Sequence, residues 1–524
     1  MIPVLDSRQM RAADAAAIRA GVASSLLMEN AATALVEELV RAFPGWKRVV
    51  AVCGPGNNGG DGLAVARLLA GRGRAIAVFT LGDPAAYRGD AAENAARARK
   101  AGLPLDALSA RGGMRRLAHE LESCDGVIDA LFGTGLSRGL SGHAALAVSK
   151  VNAAGRPVVS ADLPSGLSAD SGGLIGPCIQ AALTVAFAAA KICHVLPPAR
   201  ERCGRIVVKD IGIPPEVLAR QKTSISITEG RDVALLLPPR PPDSHKGDFG
   251  RLAIVAGSRG KAGAAVLAAR GALRAGAGLV TVFCPSSLEE VIVSALPEAM
   301  THGLPDRGGV LAAVGAQELF SALADFDAAA VGPGLGATTE TAGLLEKILR
   351  TRLPIVCDAD ALNAFAGRPE RFSRRSGATV LTPHPGEAGR LLGSSSREVG
   401  ADRLGAAREL AKRSRAVVLL KGSGTLIATV RGRVAVNPTG TPLMSTAGSG
   451  DVLTGALGAL LASGMTAENA AVAAAYLHGA AGERLQAELG DAGLLASELA
   501  DAIPRVRRAL LEPRADDRGT GQRQ

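Results

Sequence analysis

Two groups of residues in this chain suggest chemistry by their types and spacing. The first lies in "VVAVCGPGNNGGDGLAVARLLAGRG", residues 49–73. Gly54, Gly56 and Gly59 spell G-x-G-x-x-G between an apolar run and a helical pattern, and Asp83 follows at roughly the distance of a ribose-binding carboxylate. That is the outline of a dinucleotide-binding turn, but its neighbours contradict it. A pyrophosphate turn is lean because its backbone amides must touch the phosphates, whereas Asn57, Asn58, Gly60 and Asp61 crowd this helix start. A carboxylate at Asp61 would sit at the positive helix terminus and compete for the same amides; its plainer role would be to cap the helix. The loop does offer amide oxygens. Asp129 in "GVIDALFGTGL", with Asp162 and Ser165 in "SADLPSG", adds oxygens after other apolar runs. In a parallel sheet such strand ends gather at one edge. Asn58, Asp129 and Ser165 can therefore surround a cation with oxygen alone, a donor set for an alkali or alkaline-earth ion rather than zinc.

The second group offers phosphate chemistry. "KGSGT" (Lys421, Gly422, Ser423, Gly424, Thr425) follows the apolar run "AVVLL" and presents amides and a lysine to an anion. "GSGD" (Gly448 to Asp451) opens a long apolar helix, so its amides and the helix dipole can hold a transferring phosphoryl group. Asp451 then sits where an attacking hydroxyl would lose its proton. "TPHPGE" supplies His384 and Glu387, and "GPGLG" (Gly332 to Gly336) a flexible backbone rim. Each also has a plain reading: a hairpin turn, a capped helix, a surface loop.

These residues need a scaffold that brings strand ends together, and the pattern supplies one. In the first half, "RVVAVCG", "AIAVFTLG", "DGVIDALFG", "RPVVSADLPSG" and "LTVAFAA" alternate with Ala-rich helical stretches. Buried runs of this kind imply a mostly parallel sheet covered on both faces. "DSRQMRAADAAAIRAG" reads as a helix capped by Asp6 or Ser7. Prolines concentrate in "GIPPEVLARQ" and "LLLPPRPPDSHKG", which places a boundary near residue 225. The alternation resumes from "GRLAIVAGS" to "RVAVNPTG", followed by one long helix from Asp451 to about Gly482. The expected organisation is a domain over 1–225, a second over 226–512 and a disordered tail over 513–524.

Composition narrows the class. The 524 residues are 47% hydrophobic with 65 glycines, the texture of α/β proteins with tight turns. Aromatics are only 2%, which argues against base stacking; with the basic residues scattered, the net charge of +10 fits an anionic small molecule better than nucleic acid. Cys178, Cys193 and Cys203, with His194, match no common zinc spacing, and the seven cysteines read as free or buried thiols of a reducing compartment. The run ending at Lys191 is too short for a membrane span, and no leader pattern opens the chain. A cytoplasmic protein without membrane association is expected.

"GPGNNGGDGLAVARLL", "VIDALFGTGL" and "SADLPSGL", in this order, resemble the NAD(P)H-hydrate epimerase domain over about residues 1–220. The set "GPGLG", "DADALN", "TPHPGE", "KGSGT", "GSGD", with "SHKGDFGRLAIVAGS" before it, resembles the ADP- or ATP-dependent NAD(P)H-hydrate dehydratases over about residues 230–510. The resemblance implies two three-layer αβα domains, the N-terminal one Rossmann-like and the C-terminal one ribokinase-like. It implies that Asn58, Asp129 and Ser165 hold a potassium ion. It further implies that Asn57, Asn58, Gly59, Gly60 and Asp61, with Gly133, Thr134, Gly135, Leu136, Ser137, Arg138 and Gly139, line the hydrate site, with Asp162 as acid/base. In the second domain it implies that Ala264, Gly336, His384 and Asp451 contact the S-hydrate and that Lys421 to Thr425 and Gly450 hold ADP or ATP with Mg²⁺. Asp451 is then the base that activates the C6 hydroxyl. The small-molecule partners implied are NADHX, NADPHX and the nucleotide, and the resemblance implies a homo-oligomer.

Lys261 departs from the small or aromatic residue expected at its position, which leaves the preference between NADHX and NADPHX open. Two other readings stand beside this one at the level of sequence. One is a ribokinase-like vitamin or sugar-alcohol kinase, since hydroxyethylthiazole kinases share a "GSGD"-type helix start. The other is a binding module, since related N-terminal domains act as scaffolds.

Overall fold

The computed structural model describes residues 1–512; the tail expected over 513–524 lies outside the described residues. The chain divides into two compact units, one formed by Ile2–Ile225 and one by the residues from Ser226 onward.

The N-terminal unit is built on seven parallel strands. Their spatial order is Leu105–Ala107, Ala75–Thr80, Arg48–Cys53, Gly126–Ala130, Val158–Ala161, Leu183–Phe187, Arg205–Lys209. Along the strand Arg48–Cys53, Val49, Ala51 and Cys53 enter one core with Leu35 and Leu63, while Val50 and Val52 enter another with Leu117 and Val148. The two-residue period thus sends alternate side chains to two covered faces, which is why the run is apolar throughout. The chain direction of travel reverses between Arg48–Cys53 and Gly126–Ala130, so the loops leaving these strands diverge and open a crevice. A short parallel pair, Ile2–Leu5 with Ala190–Lys191, stands apart from this sheet.

Local chemistry fixes the ends. Asp6, not Ser7, caps the helix Ser7–Arg19: its carboxylate accepts from Gln9 N at 2.7 Å and Gln9 Oε1 accepts from Asp6 N at 2.9 Å. Ser7 is the first helical residue and donates its amide and hydroxyl to Asp170. The glycines of the opening loop answer to packing. A Cβ on Gly54 would lie 1.8 Å from Leu131 O, and one on Gly59 only 1.7 Å from Gly54 O. A Cβ on Gly56 would meet nothing within 4 Å. Asp83 caps the turn Pro84–Ala86, accepting from Ala85 N at 2.9 Å. Strand–helix packing therefore accounts for Gly54 and Gly59 of the dinucleotide-like spacing and not for Gly56.

In the C-terminal unit, seven strands run parallel in the order Met300–Leu304, Leu279–Pro285, Arg251–Val255, Ala328–Val331, Ile355–Cys357, Thr379–Leu381, Val417–Leu420. Thr425–Ala428 and Val434–Asn437 then continue antiparallel. "KGSGT" is too short for a crossover, so the chain can only turn back as a hairpin. The single helix expected from Asp451 to about Gly482 is two, Ser449–Ala462 and Ala467–Leu489. Gly464, at φ +88°, ends the first turn of direction, and Thr466 caps the second helix by accepting from Asn469 N. Among the described residues no helix is long and apolar enough to cross a membrane. All seven cysteines are buried and free.

Candidate active sites

In the N-terminal unit the crevice at the reversal is a cavity of about 510 Å³. Asn57, Asn58, Asp61, Gly133, Thr134, Gly135, Leu136 and Asp162 line it, together with Asp14 and Lys191. Gly59 and Gly60 lie buried beneath, with Gly60 against Met28, and Ser137, Arg138 and Gly139 are exposed and outside the cavity wall. Asp61 corrects the expectation of a cap. It is the fifth residue of the helix Asn57–Ala70, whose N-cap is Gly56. Its carboxyl is buried and is pushed well above the usual carboxylate range, first by that burial and then by Asp162, Asp14 and Asp90.

Asp162 sits at φ +66°, a left-handed backbone that a non-glycine residue holds at a cost of about 1–3 kcal/mol. Its side chain makes no turn toward Pro164. Oδ1 instead accepts from Phe187 N at 3.1 Å and from Lys191 Nζ at 2.5 Å. The lysine is fully buried and also donates to Phe187 O at 2.8 Å. Sequence reasoning read Lys191 only as the end of an apolar run; a lone lysine inside "LTVAFAAAKICHV" was the available signal, because an interior ammonium requires a partner.

Beneath the cavity floor, Asp129 Oδ2 accepts from Ser160 Oγ and Ser165 N, each at 2.8 Å, while Oδ1 receives only a 3.5 Å approach from Leu131 N. Ser165 Oγ accepts from Phe132 N at 2.9 Å. Burial raises the Asp129 carboxyl, opposed by the Ser165 and Ser160 hydrogen bonds, and no cationic side chain pairs with it among the described residues. The Nδ2 of Asn58 is buried without a hydrogen-bond partner. The buried Asp129 and Ser165 oxygens, with no cationic partner, fit an alkali or alkaline-earth ion, toward which Asn58 would have to turn its Oδ1 and not this Nδ2.

In the C-terminal unit a cavity of about 730 Å³ is lined by His384, Lys421 to Thr425, Ser449, Gly450 and His478. Lys421 Nζ lies 2.7 Å from Asp358 Oδ1, and Asp358 Oδ2 accepts from Thr454 Oγ1 at 2.7 Å. Burial opposes the Lys421 charge, but Asp358, Glu387 and Asp451 outweigh it and hold the ammonium above its ordinary range. The helix Ser449–Ala462 starts from Gly448 in the left-handed region, and its first backbone bond runs from Val452 N to Gly448 O. The amides of Gly450 and Asp451 thus stay outside the helical ladder, free for an anion. Asp451 is its third residue and, unlike Ser449 and Gly450, is not on the cavity lining; its carboxyl is pushed up to about 7 by burial and by Asp358, against the pull of Lys421. Near neutrality is where a general base works best.

His384 is a helix cap as well as a cavity residue. Its Nδ1 accepts from Gly386 N and Glu387 N, and Glu387 Oε2 accepts from His384 N at 2.8 Å. Ala264 and Gly336 do not line this cavity. They belong to a neighbouring group in which Gly334 packs on Ala264, Gly336 N donates to Asp360 Oδ2 at 2.8 Å, and Lys261 Nζ lies 3.5 Å from the same oxygen. Two supports escaped sequence reasoning. Buried Arg403 donates to the carbonyls of Ser423 and Gly424, holding the hairpin by its acceptor side. Buried His478 binds Ser449 O at 2.9 Å through Nε2, and burial lowers it to about 4, so it works as a neutral donor.

Two protein-family models match the chain, one described as YjeF-related protein N-terminus over residues 24–193 and one as NAD(P)H-hydrate dehydratase over residues 252–505. The bifunctional NAD(P)H-hydrate repair enzyme Nnr of Moorella thermoacetica is 43% identical over 496 residues, 94% of either chain. Its namesake from Escherichia coli is 36% identical over 482 residues, 92% of this chain and 89% of that one. Among solved structures, the ADP/ATP-dependent NAD(P)H-hydrate dehydratase of Bacillus subtilis, co-crystallized with ATP/Mg²⁺, is 34% identical over 54% of this chain and 98% of its own, with a TM-score of 0.48. Near full-length identity at this level, with each half matched by its own family model, shows that the chain belongs to the family of bifunctional NAD(P)H-hydrate repair enzymes.

Proposed function

We propose that the N-terminal unit interconverts the R and S hydrates of NADH and NADPH at C6, and that the C-terminal unit dehydrates the S form at the expense of ADP or ATP. The observation that carries this is Asp451. Its near-neutral carboxyl interacts with the charges of Asp358 and Lys421, and it follows Ser449 and Gly450, the helix residues that line the cavity together with the lysine-bearing hairpin. Hydroxide leaves carbon poorly and phosphate leaves well, so the hydroxyl at C6 is first phosphorylated; C5 then loses a proton to solvent, its bonding pair forms the C5–C6 double bond, and phosphate departs from C6. Asp451 takes the hydroxyl proton, the amides of Gly450 and Asp451 hold the transferring phosphoryl oxygens, and Lys421 to Thr425 hold the nucleotide. Asp358 and Asp360 are already engaged by Lys421 and Lys261, so Mg²⁺ would rest largely on nucleotide oxygens, where it supplies charge neutralisation.

In the first unit Asp162 is the acid/base residue, with the Asn57–Asp61 and Gly133–Gly139 loops around the hydrate. Asn58, Asp129 and Ser165 would hold potassium, whose charge compensates the buried carboxylate. Seven buried free thiols suit a reducing cytoplasm, and the assembly is taken to be a homo-oligomer. The test is the return of reduced-nicotinamide absorbance from authentic mixed hydrate with ADP or ATP. A protein that instead phosphorylates a vitamin alcohol, and restores no reduced nicotinamide, would be a kinase of the same fold.

A further inference from the structure

We propose that Asp14 is a second acid/base residue of the N-terminal site, the proton donor that works with Asp162 on the oxygen at C6. The assignment rests on the reading of this unit as an epimerase.

The helix Ser7–Arg19 buries Met10, Ala13 and Ala17. Those positions define one helical stripe, and Asp14, four residues after Met10 and three before Ala17, falls on it. A carboxylate there is costly unless it is paired. Among the described residues no hydrogen bond or ion pair is made by its side chain, yet it opens into the cavity that Asp162 and Lys191 also line. An unpaired carboxyl on an apolar stripe has no packing value, and its surroundings give it a chemical one. Burial pushes it up to about 6, with Lys191 opposing and Asp162 adding to the rise. The other charged groups around the cavity are Asp61 on Asn57–Ala70, Asp90 and, on its own helix, Arg11. Asp162, by contrast, is held by the Lys191 ammonium and the Phe187 amide. Two carboxyl groups in such different settings are suited to opposite proton roles.

The step balances without any further reagent than water. The C6–O bond breaks with its electron pair on oxygen, Asp14 gives that oxygen its proton, and water departs as the N1 lone pair closes an N1=C6 double bond. Water then adds to the other face of C6, the double-bond pair returns to N1, and Asp162 takes the proton that the added water loses. In the reverse direction the two carboxyls exchange roles, and solvent returns the proton between turnovers.

The experiment uses the full-length chain with mixed R and S hydrate and ADP, correcting R consumption for spontaneous epimerisation. Asp14→Asn is expected to slow R consumption by about 100-fold or more while S dehydration in the other unit continues. Wild-type epimerisation, as kcat/KM, is expected to fall as pH rises above about 6, and Asp14→Asn to lose that fall. Asp14→Glu, which keeps the acid, is expected to retain measurable epimerisation and the pH dependence, which a merely structural role would not require. R consumption at the wild-type rate in Asp14→Asn, or an unchanged pH fall in that variant, overturns the assignment. A wild-type protein that never exceeds spontaneous epimerisation overturns the epimerase reading itself, and the role of Asp14 with it.

Discussion

Half-buried Lys421 and buried Asp358 form an ion pair of 2.7 Å that ties the "KGSGT" hairpin to the end of the strand Ile355–Cys357. Thr454 binds the other oxygen of Asp358, so the pair also reaches the helix that begins with "GSGD". One lysine thereby sets the spacing of three elements around the cavity. Lys421→Met leaves Asp358 buried without its partner, which should destabilise the C-terminal unit by roughly 3–5 kcal/mol. Urea unfolding checks this. The double variant Lys421→Met/Asp358→Asn should recover much of that loss while nucleotide KM stays at least about tenfold raised, since the anion-binding charge is still gone.

Asp451 carries a pH signature. As a base it must be ionised, so dehydration kcat/KM in the free enzyme should rise with pH up to about 7 and then level. Asp451→Asn should lower kcat by about 10²–10⁴-fold and remove the rise. Its stability effect runs the other way. The folded carboxyl binds its proton more tightly than the unfolded one, so its contribution favours folding at low pH and is lost as pH climbs from 3.8 to about 7. Above that window Asp451→Asn should be the more stable protein, by about 2–4 kcal/mol, as thermal unfolding at pH 8 and pH 5 would show.

Asp162 and Lys191 make a similar claim on the first unit. Asp162→Ala should leave the R fraction of a mixed hydrate consumed only at the spontaneous rate, with the S fraction still repaired. Lys191→Met removes the only cation bonded to Asp162 among the described residues and should also cut epimerisation, by about 100-fold. Chiral chromatography of the residual hydrate separates the two epimers and reads both outcomes.

The glycines of the opening loop should not respond alike. Gly54→Ala and Gly59→Ala drive a methyl group into backbone oxygen at 1.8 and 1.7 Å, so either should cost several kcal/mol or abolish folding of the unit. Gly56→Ala, with open space around it, should change stability by less than about 1 kcal/mol. If all three behaved equally under urea, packing would not be the reason for the spacing.

How much of this was legible in the sequence depended on whether a residue's partners lay nearby in the chain. The strand runs announced themselves because burial on both faces leaves them uniformly apolar, and "NNGGD", "KGSGT" and "GSGD" were visible as loops between such runs. Asp14, Lys191 and Arg403 were not assigned roles. Asp14 and Lys191 meet Asp162 only because strand order brings distant segments to one crevice, and Arg403 reaches the hairpin carbonyls of Ser423 and Gly424 from a helix that precedes the strand Val417–Leu420. The helix break at Gly464 was obscured by alanine and leucine on both sides, whose helix propensity hides a single interruption. The sheet runs parallel as far as Val417–Leu420 and turns antiparallel at the last two strands, where the short glycine turn that also read as a hairpin outweighs the alternation before it.

The burial of every cysteine has a practical consequence. Burial pushes the thiols up, Cys53 and Cys193 furthest among them, so almost no thiolate is present at neutral pH and none stands at the surface. The folded protein should be nearly silent toward thiol-specific dyes. A single cysteine introduced at an exposed position would then be the one reactive handle on the chain, and a fluorophore placed there would report on hydrate or nucleotide binding without any native thiol having to be removed.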